Sequence, residues 1–423
     1  MSFSPGRRRS GTGTQRKKGF YLVIMTSTPE HSRRLKAELT KSGISHKVTK
    51  TSDSGGRCPL DPLWKKMPQH ENRSEYFDVV EVRGSRGKLC SIVGCPDDSV
   101  KQGDTVHYPP RERRDLKSLC YVTTSPVPPL YPVYVISKGR WYSPLTHKAL
   151  YRMGVPHLLM VEPSEYHLYL RNVPKEFLHK LPENFSRKGK GSIPVRNYVW
   201  DHAQRTGKRR HWILDDNINC FYRRNKNMKL EVLSGAYFRV MEEFVDRYDN
   251  VVLAGPHYDY FIPDQSRCYP PLNVNRRIYS CILIDTFKIN HLRWRGKYNE
   301  DTDLALRALK EGHCSILFNA FLQKKVSTMK MKGGNTDSLY SKGRMNFVKS
   351  LVKQHPDVAR HVNRYGRDHH HVDYSQFKVN ELRERRGVRP PADPEWGMRL
   401  VKREASRNPS RLSPLSGRSP TKR

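Results

Sequence analysis

His211-Trp212-Ile213-Leu214-Asp215-Asp216-Asn217 is the stretch on which the reading of this chain turns. A short apolar run is cut off by two adjacent carboxylates and an amide, which reads as a strand ending in an acidic turn. Adjacent acids at the carboxyl end of a strand repel each other unless a cation lies between them. A divalent ion bridging carboxylate and diphosphate would be such a cation, because Mg²⁺ or Mn²⁺ takes a few protein oxygens plus substrate phosphates. A polar turn with solvated carboxylates also accounts for the tripeptide taken alone.

Outward from it, strands and helices alternate. Residues 133–136 form a short apolar run ending in Ser137-Lys138-Gly139-Arg140, and 146–153 a helix candidate closed by Gly154. Residues 157–161 are a second strand candidate, ending at Glu162-Pro163. Ser192 is placed to cap a helix whose first turn holds Pro194, with Val195 and Val199 on one face and an end near Gly207. Downstream, Tyr298-Asn299-Glu300-Asp301-Thr302-Asp303-Leu304 opens a helix that runs through Leu306 and Leu309 to Gly312, and a strand follows at 315–318. Such alternation predicts an open α/β sheet, in which ligands sit at the carboxyl ends of the strands. Acids in a first helical turn are stabilised by the macrodipole, so capping explains some of them. Three acids in four residues exceed what a cap needs. A carboxylate there, facing a ligand at the strand ends, could serve as a general base.

Composition narrows the partners. The 423 residues carry 36% hydrophobic and 10% aromatic side chains, enough for a sizeable core, and a formal net charge of +37. A surface that basic calls for a polyanion, nucleic acid or an anionic membrane. No apolar run approaches the roughly 20 residues needed to cross a bilayer, and the run at 20–25 is too short for a signal-peptide core, so a cytoplasmic protein is expected. The eight cysteines form no CxxC pair, which argues against a zinc ribbon and for scattered reduced thiols.

Residues 1–18 and 399–423 hold +6 and +7, with little apolar surface, and the rest of the chain keeps +24. The basic segments 1–18 and 386–423 are therefore expected to be disordered tails. Residues 19–127 read as a small mixed α/β module: a strand at 20–25, a helix at 32–42, strands at 77–82 and 89–93, and a turn at Gly103-Asp104 before Val106. The stiff stretch Ser125-Pro126-Val127-Pro128-Pro129 marks its boundary with a main domain at 131–385.

The acidic turn after a strand, then Glu300-Asp301-x-Asp303-Leu304-x-Leu306-Arg307 opening a later helix, resembles the nucleotide-sugar glycosyltransferases of GT-A fold. Together with Met329-Lys330-Met331-Lys332-Gly333-Gly334-Asn335-Thr336-Asp337, these stretches resemble more closely the TET-associated glycosyltransferases of phages, relatives of the base J glucosyltransferase. The resemblance covers about residues 131–385 and implies a GT-A-type, Rossmann-like domain. It further implies a metal-dependent, inverting transfer from a nucleotide-sugar donor, expected to be a UDP-sugar, to a 5-hydroxymethylpyrimidine in double-stranded DNA. Hydroxymethylcytosine is the first candidate base, and the enzyme would act downstream of a pyrimidine-hydroxymethylating one. Asp301, with Glu300 beside it, then falls at the base; Asp215 and Asp216 at the nucleotide and metal motif; Arg140 and Glu162 at the nucleotide. Asn217 stands where the motif has a second Asp, and a late histidine, His370 of the run His369-His370-His371, is placed to complete a Mn²⁺ or Mg²⁺ site with Asp216 and Asn217.

Two further clusters suit DNA. Arg293-Trp294-Arg295 offers guanidinium groups for phosphates and an indole to stack a base drawn out of the helix, or alternatively a core Trp with a solvated rim. Lys330, Lys332 and the Gly333-Gly334 loop could bring backbone N–H groups to phosphates, or form a flexible surface connection. A transferase acting on polysaccharide or protein, and a non-enzymatic DNA-binding protein, are the competing readings.

Overall fold

The computed structural model describes residues 19–26, 29–49, 78–95, 100–102, 105–109, 119–225, 228–262, 270–296, 298–326, 345–364 and 367–403. They fall into a smaller unit within residues 1–114 and a larger one carrying Asp115–Arg423. In the smaller unit, β1 (Phe20–Thr26), β2 (His46–Thr49), β3 (Asp78–Gly84) and β4 (Thr105–Tyr108) pair in the order β2-β3-β1-β4. Leu22 and Ile24 of β1 and Val80 and Val82 of β3 are buried with Leu35 and Leu39 of α1 (Pro29–Lys41). The stretch 89–93, expected as a strand, instead belongs to α2 (Arg86–Val93). Its Leu89, Cys90 and Val93 bury one helical face, and Gly94 ends it at φ 69°, the left-handed conformation glycine adopts freely. The expected turn at Gly103-Asp104, the tail 1–18 and residues 404–423 lie outside the described residues, whereas 386–403, expected as part of a disordered tail, are described and form a strand at Arg399–Lys402 that pairs with Leu119–Val122.

The larger unit runs β5 (Leu119–Val122), β6 (Val133–Ile136), α3 (Leu145–Arg152), β7 (Leu158–Val161), α4 (Tyr166–Tyr169), β8 (Leu178–Lys180) and α5 (Ile193–Arg205). It continues with β9 (Arg210–Asp215), β10 (Ile218–Asn225), β11 (Met228–Val232), α6 (Ala236–Asp246), β12 (Val251–Tyr258), β13 (Leu272–Val274) and β14 (Cys281–Asp285). Then follow α7 (Glu300–Lys310), β15 (Cys314–Lys325), α8 (Met345–Gln354), the hairpin β16 (Ala359–Arg364) and β17 (Arg367–Val372), and β18 (Arg399–Lys402). One mixed sheet is ordered β18-β5-β11-β10-β15-β12-β14-β9-β6-β7-β8, with β13 beside β15. Because β5 pairs with both β11 and β18, the domain boundary falls ahead of Leu119, earlier than the proline-rich stretch near 127 suggested.

The central strands are apolar on both faces, which is what a sheet covered by helices on each side requires. Val133, Val135, Trp212 and Leu214 pack with Phe238, Met241 and Phe244 of α6. The alternating set Tyr134, Ile136 and Ile213 packs on the opposite side with Val199, Trp200 and Ala203 of α5 and with Leu304, Ala305 and Ala308 of α7. Register then fixes where the site lies. In the parallel strands β6, β7 and β9, Ile136 is opposite both Met160 and Asp215, so the residues after these strands emerge on one edge. Antiparallel β14 begins opposite Leu214, which sets Ser280 beside Asp215, and Lys325 at the end of β15 pairs with Ile218. The strand expected at 315–318 is thus the start of a far longer one. Among the described residues no helix is long and apolar enough to cross a membrane.

Candidate active site

At that edge a cavity of about 700 Å³ is lined by residues from β6, β7, β9, α5, α7, β15 and β17, among them Arg140, Glu162, Arg196, Asp215, Asp216, Asn217, Glu300, Asp301, Lys325 and His370. The structure therefore brings the two acidic motifs together, although 84 positions separate Asp301 from Asn217.

Asp215 is clamped. Its Oδ1 accepts from Arg196 Nη2 at 2.9 Å, and its Oδ2 from Lys325 Nζ at 2.6 Å and Ser280 Oγ at 2.7 Å. Burial opposes its ionisation, but Lys325 and Arg196 outweigh burial and hold the carboxyl well below the usual range. Asp216 is engaged as well: Ser137 Oγ donates to it at 2.8 Å, and Arg140 Nη1 makes a short ion pair with Oδ1. Burial nonetheless pushes the Asp216 carboxyl upward, against the pull of Arg140. Asn217 donates from Nδ2 to Val326 O at 2.8 Å, which leaves its buried Oδ1 without a hydrogen-bond partner.

Helix α7 supplies the second motif. Asn299 precedes it at φ 57° and donates from Nδ2 to Phe347 O at 2.8 Å, so its side chain ties the helix start to α8 instead of capping it. Glu300 accepts from Ser192 Oγ at 3.0 Å and lies 3.6 Å from Arg196 Nε. Ser192, expected as a side-chain cap of α5, makes no cap bond and serves Glu300 instead. Asp301 Oδ1 is buried without a hydrogen-bond partner and lies 3.8 Å from Arg196 Nη2. Burial pushes the Asp301 carboxyl up to about 7; Arg196 opposes this, while Glu300 and Asp215 add to it. A carboxyl poised there can take a proton near neutral pH, the task of a general base.

Asp303 faces away from this chemistry. It is fully buried, accepting from Arg295 Nη2 at 3.1 Å, Arg307 Nε at 2.9 Å and His355 Nε2 at 2.9 Å. The expectation that Trp294 stacks a DNA base is corrected, and the alternative of a core Trp with a partly exposed arginine rim is what the structure shows. Trp294 is 2% exposed, and the Arg196 guanidinium stacks 4.7 Å from its ring, so it cannot stack a base without unpacking the core. Arg295 pairs with Asp303 and Arg293 with Asp201 at 2.7 Å, their side chains still 51% and 33% exposed. Arg140 and Glu162 do line the cavity, but the first is paired with Asp216 and the second accepts from Ser186 N at 2.7 Å and Oγ at 2.8 Å. Lys330, Lys332 and the Gly333-Gly334 loop lie outside the described residues.

The donor set does not suit a divalent ion. Such an ion needs several anionic oxygens not already neutralised, whereas Asp215 is paired with Arg196 and Lys325 and Asp216 with Arg140. His370 is neutral, burial lowering it to about 4, and its Nε2 accepts from Arg277 Nη1 at 3.0 Å. Of the three expected ligands Asp216, Asn217 and His370, Asn217 is the one with a buried acceptor atom that makes no hydrogen bond. Among the described residues no group of three His, Cys, Asp or Glu could hold a metal ion.

Arg196, Ser280 and Lys325, which hold the Asp215 carboxylate, escaped the sequence reading. Arg196 left a signal, since it occupies a position on the apolar face of α5 shared by Ile193, Val199, Trp200 and Ala203. A charge at such a position is either paired inside the protein or facing a ligand.

Helices on both faces of a mixed sheet, with a cavity at the carboxyl ends of its parallel strands and a poised carboxylate in it, make this a Rossmann-like α/β domain with a candidate active site at the strand ends. Residues 131–334 match the family of TET-Associated Glycosyltransferases, a span just under half of the chain. The chain is similar to that family from β6 through β15. No curated protein matches it.

Proposed function

We propose that the protein transfers a sugar from a nucleotide-sugar donor, a UDP-sugar, to the hydroxyl of a 5-hydroxymethylpyrimidine in double-stranded DNA. 5-Hydroxymethylcytosine is the first base to test. The observation that carries this reading is the placement of Asp301: a carboxyl tuned to about 7 within the cavity that also holds Asp215 and Asp216. As the acceptor oxygen attacks the anomeric carbon, its proton passes to Asp301. The new C–O bond forms as the bond to the diphosphate breaks, and the nucleoside diphosphate leaves with that electron pair. Attack opposite the leaving group inverts the anomeric centre.

Net charge supports a DNA acceptor. With +37 on the chain and most of it outside the tails, phosphate attraction reaches well beyond the termini. The hydroxymethyl group must be supplied by an enzyme that acts on the pyrimidine first. Release of nucleoside diphosphate, followed with hydroxymethylated and with unmodified duplex, tests the reading. Release should require the hydroxymethylated duplex. Equal release with both, or release only with a polysaccharide or protein acceptor, would refute it.

A further inference from the structure

We propose that the Lys325 ammonium, backed by Arg196, is the protein's own counter-charge for the donor diphosphate and does there the work of a divalent ion. This rests on the glycosyltransferase reading above and goes beyond it, because that reading carries the expectation of Mn²⁺ or Mg²⁺.

Strand β15 is buried along its first ten residues and delivers Lys325 to the cavity wall, where its side chain is 17% exposed. An ammonium has three N–H donors. Asp215 Oδ2 takes one at 2.6 Å and Ser280 Oγ another at 2.7 Å. A third remains, with the Tyr258 ring 5.9 Å from the nitrogen and the cavity on the exposed side of the lysine, where an anionic ligand can take it. Arg196 repeats the pattern. Its side chain is 3% exposed, fixed by Asp215 and by stacking on Trp294, and its buried Nη1 has no hydrogen-bond partner. Two cations thus share Asp215, with Glu300 3.6 Å and Asp301 3.8 Å from Arg196 as well, and the Arg196 Nη1 donor stays unused.

Two cations already seated on Asp215 disfavour a third there, and their remaining donors can turn to an anion. A divalent ion at Asp215 would have to displace Lys325 or Arg196, or stand against both in a medium of low dielectric, where like charges repel strongly. A diphosphate needs what they offer: as the sugar–oxygen bond breaks, charge builds on the leaving oxygen, and fixed donors stabilise it without reorganisation. Lysine acts on phosphate as a point charge and does not require a planar fork. Ser280 contributes by holding the ammonium. It adopts φ 56°, and Gly255 lets the neighbouring strand come close, since a Cβ there would stand 2.2 Å from Cys281 O.

The test is calorimetric titration of the full chain with UDP and with inorganic pyrophosphate, in excess EDTA and again with Mn²⁺. Wild type should bind in EDTA, and Mn²⁺ should change its affinity by no more than about threefold. Lys325→Met should lose roughly 10–100-fold in EDTA, the worth of one charge-assisted hydrogen bond, and Lys325→Arg should recover most of it. A thermal melt of each variant separates lost binding from lost fold. Wild-type binding that appears only with Mn²⁺ would overturn the proposal while leaving the glycosyltransferase reading intact. So would a folded Lys325→Met that binds like wild type. Failure of wild type to bind either probe under both conditions would instead overturn the donor site and the proposal together.

Discussion

Asp301 lies 3.8 Å from the Arg196 guanidinium, the same group that holds Asp215 at 2.9 Å. One buried cation therefore couples the strand-end motif to the helix-start motif. It also governs the proton of Asp301, because it favours the ionised form against burial.

The pH dependence of transfer follows from this. With Asp301 poised at about 7, the rate should rise with pH through about 7 as the carboxyl ionises. Removing the guanidinium removes the term that favours the anion, so Arg196→Met should move the rising limb to higher pH. Rate profiles of the two proteins check the sign. A wild-type limb near pH 4, the range of an ordinary Asp at about 3.9, would assign the proton to another group.

Asp301→Asn keeps the size of the side chain and removes its basicity. Turnover should fall roughly 10²–10⁴-fold, the usual contribution of a positioned general base. Nucleoside diphosphate affinity should stay near wild type, because Asp215, Asp216 and Lys325 are untouched. A parallel loss of binding would show that Asp301 holds the donor and leaves the proton alone.

Asp303→Asn should act on stability. Asp303 accepts from Arg295, Arg307 and His355 inside the protein, with no opening to the cavity. Removing its charge leaves the largely buried Arg307 without its counter-ion, and breaking such a pair costs about 3–5 kcal/mol. Denaturant unfolding should register that loss. A stable Asp303→Asn with turnover depressed as far as in Asp301→Asn would place Asp303 in the chemistry.

What the sequence disclosed and what it hid divide along the distance over which each feature is determined. Strand β9 and the acids after it, and the three acids opening α7, are local patterns, and both motifs were legible as such. The partners of those acids are set by register between strands far apart in the chain. Lys325 reads as a surface lysine beside Lys324 until β15 is paired with β10, and Ser280 as a loop serine until β14 is laid against β9. The same limit left Trp294 open between stacking a base and filling the core, because its fate depends on packing against Trp200, 6.4 Å away between ring centres. Residues 89–93 failed for another reason: five apolar-rich residues fit either period, and Gly94 decides for the helix.

The charge outside the tails makes a claim of its own. Deleting residues 1–18 and 404–423 should weaken duplex binding without ending it, and affinity should drop steeply with added salt through counterion release. Fluorescence anisotropy with a labelled duplex at several salt concentrations measures both effects. Loss of all binding with the tails would restrict the DNA contact to them.

The most direct test of sugar transfer to hydroxymethylated DNA is mass spectrometry of nucleosides. Duplexes carrying hydroxymethylcytosine or hydroxymethyluracil are incubated with the protein and a panel of nucleotide sugars, then digested. One hydroxymethylpyrimidine nucleoside should gain the mass of a single glycosyl residue with wild type, and far less of it should do so with Asp301→Asn. Unchanged nucleosides from both duplexes with every donor, in a preparation that turns over those donors on a polysaccharide or protein, would contradict the account.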